Sequence, residues 1–469
     1  MTKRIIAVIA AAIMLLPVVS AGVLATPRIE MADVVVIGAG GAGLNAAVTA
    51  ADNGAKVIVL EKMPVIGGNT ILLGGFYNSA DPERQDKQGI KDSPELHMQQ
   101  TLAAGDNRAN PALVKVLCEN ALDGLHWYES LGMKFADQVF QGYGALYPRS
   151  HPTVPNEQGR GYIRVLNNAA KSRNIPIYLN TRATGLIRDG KDGRVYGVAA
   201  VDKSGNERMF LSKTVVIATG GFSANVEMRS KYDPRFDASV GTTNHPGATG
   251  DGIIIAQEIG ADVVGMDYIQ CIAVAGGLTT LDVGAMVYVN TNGDRFADEG
   301  ARRDVLTEAV LRQPGKKCWV ITDEMSQKAY DVDAMVKRGE IVKADSIEEL
   351  AKKCSLDVAK LTATMDRYNK LVEKKEDEDF GKKVLGQTIS HPPFYAGLGE
   401  PRVHHTMGGL RINTDAQVLD IHGKVIPGLY AAGEVTGGIH GTNRIGGNAI
   451  LDITVFGRVA GKNAGLESK

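Results

Sequence analysis

The sequence predicts an α/β fold: a Rossmann-like, discontinuous nucleotide-binding domain with an inserted α+β capping domain. Three observations predict it. An apolar run over residues 33–37 leads into a glycine fingerprint, Gly38-Ala39-Gly40-Gly41-Ala42-Gly43. A charged, helix-rich stretch from about Gln270 to Pro401 then interrupts the apolar, glycine-rich character of the chain. That character returns after His404.

Taken in order, residues 1–25 read as a secretory signal peptide. Lys3 and Arg4 precede an apolar run over 5–19, and small residues follow, with Val19-Ser20-Ala21 and Val23-Leu24-Ala25 as cleavage patterns. The run is short for a membrane span of about 20 residues, so export to a bacterial periplasm is expected over an uncleaved anchor. No Arg-Arg pair marks a twin-arginine route.

Residues 33–37 read as a buried strand, 44–53 as a helix and 56–60 as a second strand ending at Glu61. This is a nucleotide-binding βαβ unit. The first glycine makes the turn, the second lets pyrophosphate approach the backbone, and the third lets helix and strand pack. The helix N-terminus offers free N–H groups to phosphate, and Glu61, 18 residues after Gly43, is placed to bond ribose hydroxyls. Residues 88–180 read as mostly helical, with polar loops over 142–155. Residues 178–180 and 195–198 read as strands of a small sheet. Residues 214–218 form another buried strand, closed by Thr219-Gly220-Gly221, which brings backbone against the nucleotide a second time. The insert carries charged helices over 346–356 and 357–375 and a polar run over 373–378. The expected division is 30–268 and 402–469 for the two parts of the nucleotide domain and 269–401 for the cap.

Composition agrees with a globular chain: 469 residues, 44% hydrophobic and 22% charged. With 52 basic against 53 acidic residues there is no electrostatic case for nucleic acid. The four cysteines form neither Cys-x-x-Cys nor a haem-attachment motif, and their spacing leaves both disulfides and free thiols open. No metal-binding motif is present.

Two C-terminal runs, His404-His405-Thr406-Met407-Gly408-Gly409 and Gly428-Leu429-Tyr430-Ala431-Ala432-Gly433-Glu434 continuing to Asn443-Arg444-Ile445-Gly446-Gly447-Asn448, resemble the flavin and substrate site of the fumarate reductase/succinate dehydrogenase flavoprotein family. The resemblance is closest to soluble, exported, single-subunit members and covers nearly the whole mature chain. It implies FAD held by Gly38, Gly40, Gly41, Ala42, Gly43, Glu61 and Lys62, by the loop Gly67-Gly68-Asn69-Thr70 with Gly74-Gly75, by Thr219, Gly220, Asp251 and His405, and by Gly433, Glu434, Asn448, Ala449 and Ile450. No His stands between Gly67 and Gly75, so the flavin is expected to be non-covalent.

The chemistry implied is reduction of a carbon–carbon double bond beside a carboxylate, with hydride from flavin N5 to the β-carbon and a proton to the α-carbon. His404 and Arg444 match the family's carboxylate grip; an Arg fork takes both carboxylate oxygens and stays charged. The family's proton donor lies in Arg-Phe-x-x-Glu-x-x-x-Arg-Asp, here residues 295–304, which assigns it to Arg303 with Arg302 as its neighbour. A guanidinium acid needs a relay to restore its proton; Asp282, Glu299 and Asp304 are the candidates. Closure of the insert is expected to bring Arg303 to the substrate and exclude water.

The pattern breaks where the family grips a second carboxylate. Gln270-Cys271-Ile272-Ala273 stands for Gln-x-His-Pro, so Ile272 occupies the His position. The Thr, Glu and Arg of a following run fall, without gaps, at Gly277, Leu278 and Leu281, while a gap brings in Thr279, Thr280 or Asp282. A second carboxylate against Ile and Leu would lack partners, at a cost of several kcal/mol. The expected substrate is therefore a monocarboxylic 2-enoate such as methacrylate or acrylate. The alternatives are fumarate, urocanate or an arylacrylate; desaturation, which needs a Tyr acid/base pair; and a flavin electron carrier without catalysis. Without haem or Fe–S motifs, electrons must come from outside, for which a c-type cytochrome or a quinol-linked partner in a periplasmic anaerobic respiration is the expected donor.

Overall fold

The computed structural model describes residues 27–142, 144–275, 283–326 and 332–469. The proposed signal peptide and residues 277–282 lie outside them.

The central sheet has six strands, in the order Gln417–Leu419, Val425–Ala431, Thr214–Ile217, Val34–Ile37, Val57–Leu60 and Ile177–Tyr178. All neighbours run parallel except the Gln417–Leu419 edge. Val34–Ile37, Val57–Leu60 and Thr214–Ile217 are buried along their whole length, as expected of parallel strands covered on both faces. The helix Gly41–Asp52 follows the first of them, and the C-terminal helix Asn448–Glu467 lies against it. Glycines at 457 and 461 allow that contact: a Cβ at either would fall 2.8 or 2.2 Å from the carbonyl oxygen of Ala42 or Ala46. The last 20-residue helix therefore returns to the first βαβ unit, which makes the domain discontinuous in sequence.

Residues 178–180 and 195–198 do not share one small sheet. Ile177–Tyr178 pairs with Val59 and Leu60 at the edge of the central sheet. Asn180, at φ 51°, then turns the chain, and Thr181–Arg188 pairs with Val195–Asp202 in a separate four-stranded sheet. The strand reading over 178–180 merged two elements across this left-handed turn.

In the capping region the long strand Phe394–Thr406 is flanked by Ile269–Ala275 and Cys318–Asp323, with Val287–Val289 beyond the latter. Helix Val358–Lys374 buries Leu361, Met365, Tyr368 and Val372, an apolar stripe at helical spacing. Ser346 and Asp357 cap the two charged helices, accepting from the N–H of Glu349 (3.1 Å) and Lys360 (2.9 Å). The expected boundary at 401/402 falls inside Phe394–Thr406, which runs through it unbroken, and Gly241–Thr242 pairs onto the same strand. Among the described residues, no helix is long and apolar enough to cross a membrane.

Candidate functional site

A cleft runs along the carboxyl ends of the central parallel strands. At one end it is lined by Gly38, Gly40, Gly41 and Ala42, by Glu61 and Lys62, and by Gly68, Asn69 and Thr70. Thr219, Gly220, Asp251, Glu434 and Ala449, all singled out in the sequence, line it as well. Gly40 caps the fingerprint helix, and a Cβ there would meet nothing closer than the Gly67 carbonyl oxygen at 3.9 Å, so this backbone is bare toward the cleft. Thr219 Oγ1 is buried and, among the described residues, has no hydrogen-bond partner. A helix N-terminus at the cleft and an unpaired hydroxyl suit a dinucleotide's phosphates. Glu61 Oε2 accepts from the Ala39 N–H (2.9 Å) and Oε1 from the Met63 N–H (2.8 Å), which fixes its carboxylate beside the fingerprint turn. Lys62 Nζ bonds Thr249 Oγ1 (2.6 Å) and pairs with Asp251 (3.3 Å), which also takes Arg182 Nε (2.8 Å).

The other fingerprint and loop residues sit behind this wall. A Cβ at Gly43 would lie 1.9 Å from the Gly38 oxygen, so Gly43 serves helix–strand packing. Gly67 turns the chain at φ 116°, and Gly433 packs on Ala42. Gly74 and Gly75 lie against Phe76 and the Gln158 backbone. Ile450 is in the core. Asn448 is buried in a polar network, accepting from Asn78 Nδ2 (2.9 Å), facing His97 Nε2 (3.0 Å) and donating to Thr101 (3.2 Å).

The far end of the cleft holds His404, His405 and Arg444. His404 owes its orientation to a bulge. Gln270 pairs with His405 but Cys271 with Val403, so His404 is the extra residue on its strand. Bulges re-aim side chains in this way beside active sites. Thr243 Oγ1 lies 2.8 Å from His404 Nδ1, and Asn244 Nδ2 donates to the His404 carbonyl (3.0 Å). Asn69 bonds both Asn244 Oδ1 and Glu434 Oε2 (3.1 Å for the latter), which ties this loop to the flavin-side carboxylate. Glu434 Oε1 accepts from the Thr406 N–H (3.0 Å) and lies 3.8 Å from His405 Nδ1.

Arg444 is buried, and Gln270 holds it twice over. Gln270 Oε1 accepts from Arg444 Nη2 (3.2 Å), while Gln270 Nε2 donates to the Arg444 carbonyl (2.9 Å) and to Asn443 Oδ1 (2.7 Å). Arg303 opens the helix Arg303–Leu311 of the cap, which Thr307 ties to the Cys271 carbonyl (2.8 Å). Its guanidinium lies so close over Gly144 that a Cβ there would be 2.3 Å from Nε. Gly144 O in turn accepts from the Gly446 N–H (2.7 Å), two residues after Arg444. Arg302 turns the other way, to Asp106 and Asp304.

These groups work against one another's charge. Burial, then the like charge of Arg303, pushes Arg444 down to about 9, with Glu434 and Asp452 opposing. Burial, Arg444 and Arg303 hold His404 well below its ordinary range, so the imidazole is neutral. Burial and the same two arginines act on His405. An anion would relieve all three.

Ile272 is buried on the strand beside His404, in register with Arg402, and belongs to none of the apolar clusters of either domain. Two relay candidates have other work. Glu299 accepts from Arg295 Nε (2.9 Å) and from the Tyr288 N–H (3.1 Å) and faces Lys382 (3.2 Å), and Asp304 holds Arg302. Asp282 lies outside the described residues. Sequence reasoning gave no site role to Thr243, Asn244, Gln270 or Gly144. Only Gln270, inside a quoted motif, left a signal.

The chain matches a FAD binding domain over residues 33–450. It is 41% identical over 454 residues to a fumarate reductase (cytochrome) of Shewanella frigidimarina, covering 95% of this chain and 79% of that protein. To an acrylate reductase flavoprotein subunit of Shewanella woodyi it is 33% identical over 464 residues, covering 92% and 90%. The open conformation of a flavocytochrome c3 fumarate reductase superimposes with a TM-score of 0.82 at 36% identity, over 100% of this chain and 81% of that one.

Proposed function

Since the chain belongs to the FAD-dependent flavoprotein family of fumarate and acrylate reductases, oxidoreductases of carbon–carbon double bonds, we propose that it reduces a small α,β-unsaturated monocarboxylate of the methacrylate or acrylate kind. The observation that carries this reading is the pairing of Arg444 with His404 in the flavin cleft, with Arg303 held against Gly144 close enough for its charge to act on both.

FAD, when bound, supplies hydride from N5 to the substrate's β-carbon. Arg444 takes the carboxylate on its fork, kept in place by Gln270. With the Thr243 hydroxyl donating to Nδ1, His404 carries its proton on Nε2 and offers a neutral donor to the same carboxylate. Both groups draw electron density from the alkene as charge develops on the carboxylate oxygens. Arg303 then gives a proton to the α-carbon. Ile272 faces the substituent where a second carboxylate would otherwise sit unpaired. The flavin is held without a covalent bond, the protein works in a periplasm, and a c-type cytochrome supplies its electrons. The 33% identity to an acrylate reductase subunit supports the monocarboxylate, and the 41% identity to a fumarate reductase supports the competing dicarboxylate.

The test is anaerobic reoxidation of dye-reduced, FAD-loaded protein by methacrylate, acrylate, cinnamate, urocanate and fumarate. Turnover of methacrylate or acrylate at least about tenfold above fumarate is expected, and Ile272→His should raise fumarate turnover. Fumarate as the best substrate of the unaltered protein sinks the monocarboxylate.

A further inference from the structure

We infer that Asp106 is a positioning residue for the reaction: its carboxylate joins Arg302 of the cap to Thr442 of the flavin domain and so fixes the separation of Arg303 from Arg444. The inference rests on the roles proposed above for those two arginines.

The helix Pro94–Ala104 ends at Gly105, in a turn pressed onto the segment that leads to Arg444. A Cβ at Gly105 would lie 2.4 Å from the His440 oxygen, and one at Gly441 would lie 2.3 Å from the Gly105 oxygen. The two backbones therefore fix each other's place, and the Thr442 N–H donates to Gly105 O (3.3 Å). Asp106 and Asn107 follow in the left-handed region, at φ 52° and 55°, a conformation uncommon outside glycine and tolerated best by Asn and Asp. This turn aims the Asp106 carboxylate at the cap. Arg302 Nη1 reaches Oδ1 (2.6 Å) and Nη2 reaches Oδ2 (3.1 Å), a two-point fork. Thr442 Oγ1 donates to the same Oδ2. Bonds from Arg302 and Thr442 hold the carboxyl down to about 2. Arg302 is itself fixed from its other side by Asp304, through Nε (3.0 Å).

The geometry makes this contact specific to the two reacting ends. Arg302 immediately precedes Arg303, and Thr442 precedes Arg444 by two residues. One carboxylate thus spans the acid and the anchor from outside the residues that line the cleft. Arg302 stands at a free position of the donor motif, between Glu299 and Arg303. The side chains of Asp106 and Arg302 are 48% and 30% exposed, which leaves the clamp open to screening by salt.

The test compares FAD-loaded wild type with Asp106→Asn, Asp106→Glu and the milder Thr442→Val. Without substrate, amide hydrogen exchange over residues 303–311 and 441–446 should quicken about fivefold in Asp106→Asn, and less in the other two. With dye-reduced protein and methacrylate, kcat should fall about tenfold in Asp106→Asn and recover mostly in Asp106→Glu. Wild-type kcat should fall with added KCl and that of Asp106→Asn should not. Unchanged exchange overturns the inference, as does faster exchange with unchanged kcat. Equal losses in the Asn and Glu variants, with wild-type salt dependence, show a folding role only and overturn it too. A wild type that ignores methacrylate sinks the substrate proposal, and the clamp is then decided by the same exchange and kcat comparison with fumarate as substrate.

Discussion

Arg444 is held where its own charge is least welcome, buried and facing a second arginine, and its depressed pKa of about 9 records that tension. A binding limb follows: kcat/KM should decline above about pH 9 as the free enzyme's guanidinium loses its proton. The same limb should move upward in kcat, where bound carboxylate restores the charge. Arg444→Lys should cost at least about a hundredfold in kcat/KM, because a point charge cannot replace the fork; steady-state kinetics would show it. His97 illustrates the other sign. Burial, then Arg149, holds it down to about 3, below the ordinary 6.5 it regains on unfolding. Between those values the unfolded chain binds the extra proton, so stability is full above about pH 6.5 and is lost as pH falls toward 3. Thermal unfolding from pH 7.5 to 4.5 should fall more steeply in wild type than in His97→Gln.

At the scale of elements, the fingerprint helix was legible in the sequence because glycines at close approaches leave a local pattern, whereas the terminal helix Asn448–Glu467 was not assigned from it. Gly43 is the clearest case, and Gly43→Ala should abolish retention of FAD, read as the flavin-to-protein ratio after gel filtration, since the Gly38 backbone cannot yield by the needed distance. The capped helices from Ser346 and Asp357 were legible for the same local reason. What sets His404 was not. Thr243 meets it across 161 residues, and the bulge that re-aims it arises from register between two strands about 130 residues apart. The pairing of Ile177–Tyr178 with the central sheet was hidden likewise, because only the φ of Asn180 separates it from the next strand. Glu299 and Asp304 looked available to Arg303 in sequence because spacing does not reveal that Arg295, Lys382 and Arg302 already engage them.

For the whole molecule, the open question of the cysteines has a simple answer. Cys118, Cys271, Cys318 and Cys354 are all free and buried, with burial pushing each thiol up to about 12. Such thiols are poor nucleophiles. A thiol-reactive dye should find none in the native protein and four after denaturation, so an oxidising compartment would leave the fold unchanged. The two domains share the strand Phe394–Thr406, which carries the cap's sheet at one end and the bulged His404 at the other. One strand therefore sets the cap's sheet and the place of His404 together, so a slip of its register would disturb the carboxylate grip and the cap in a single event.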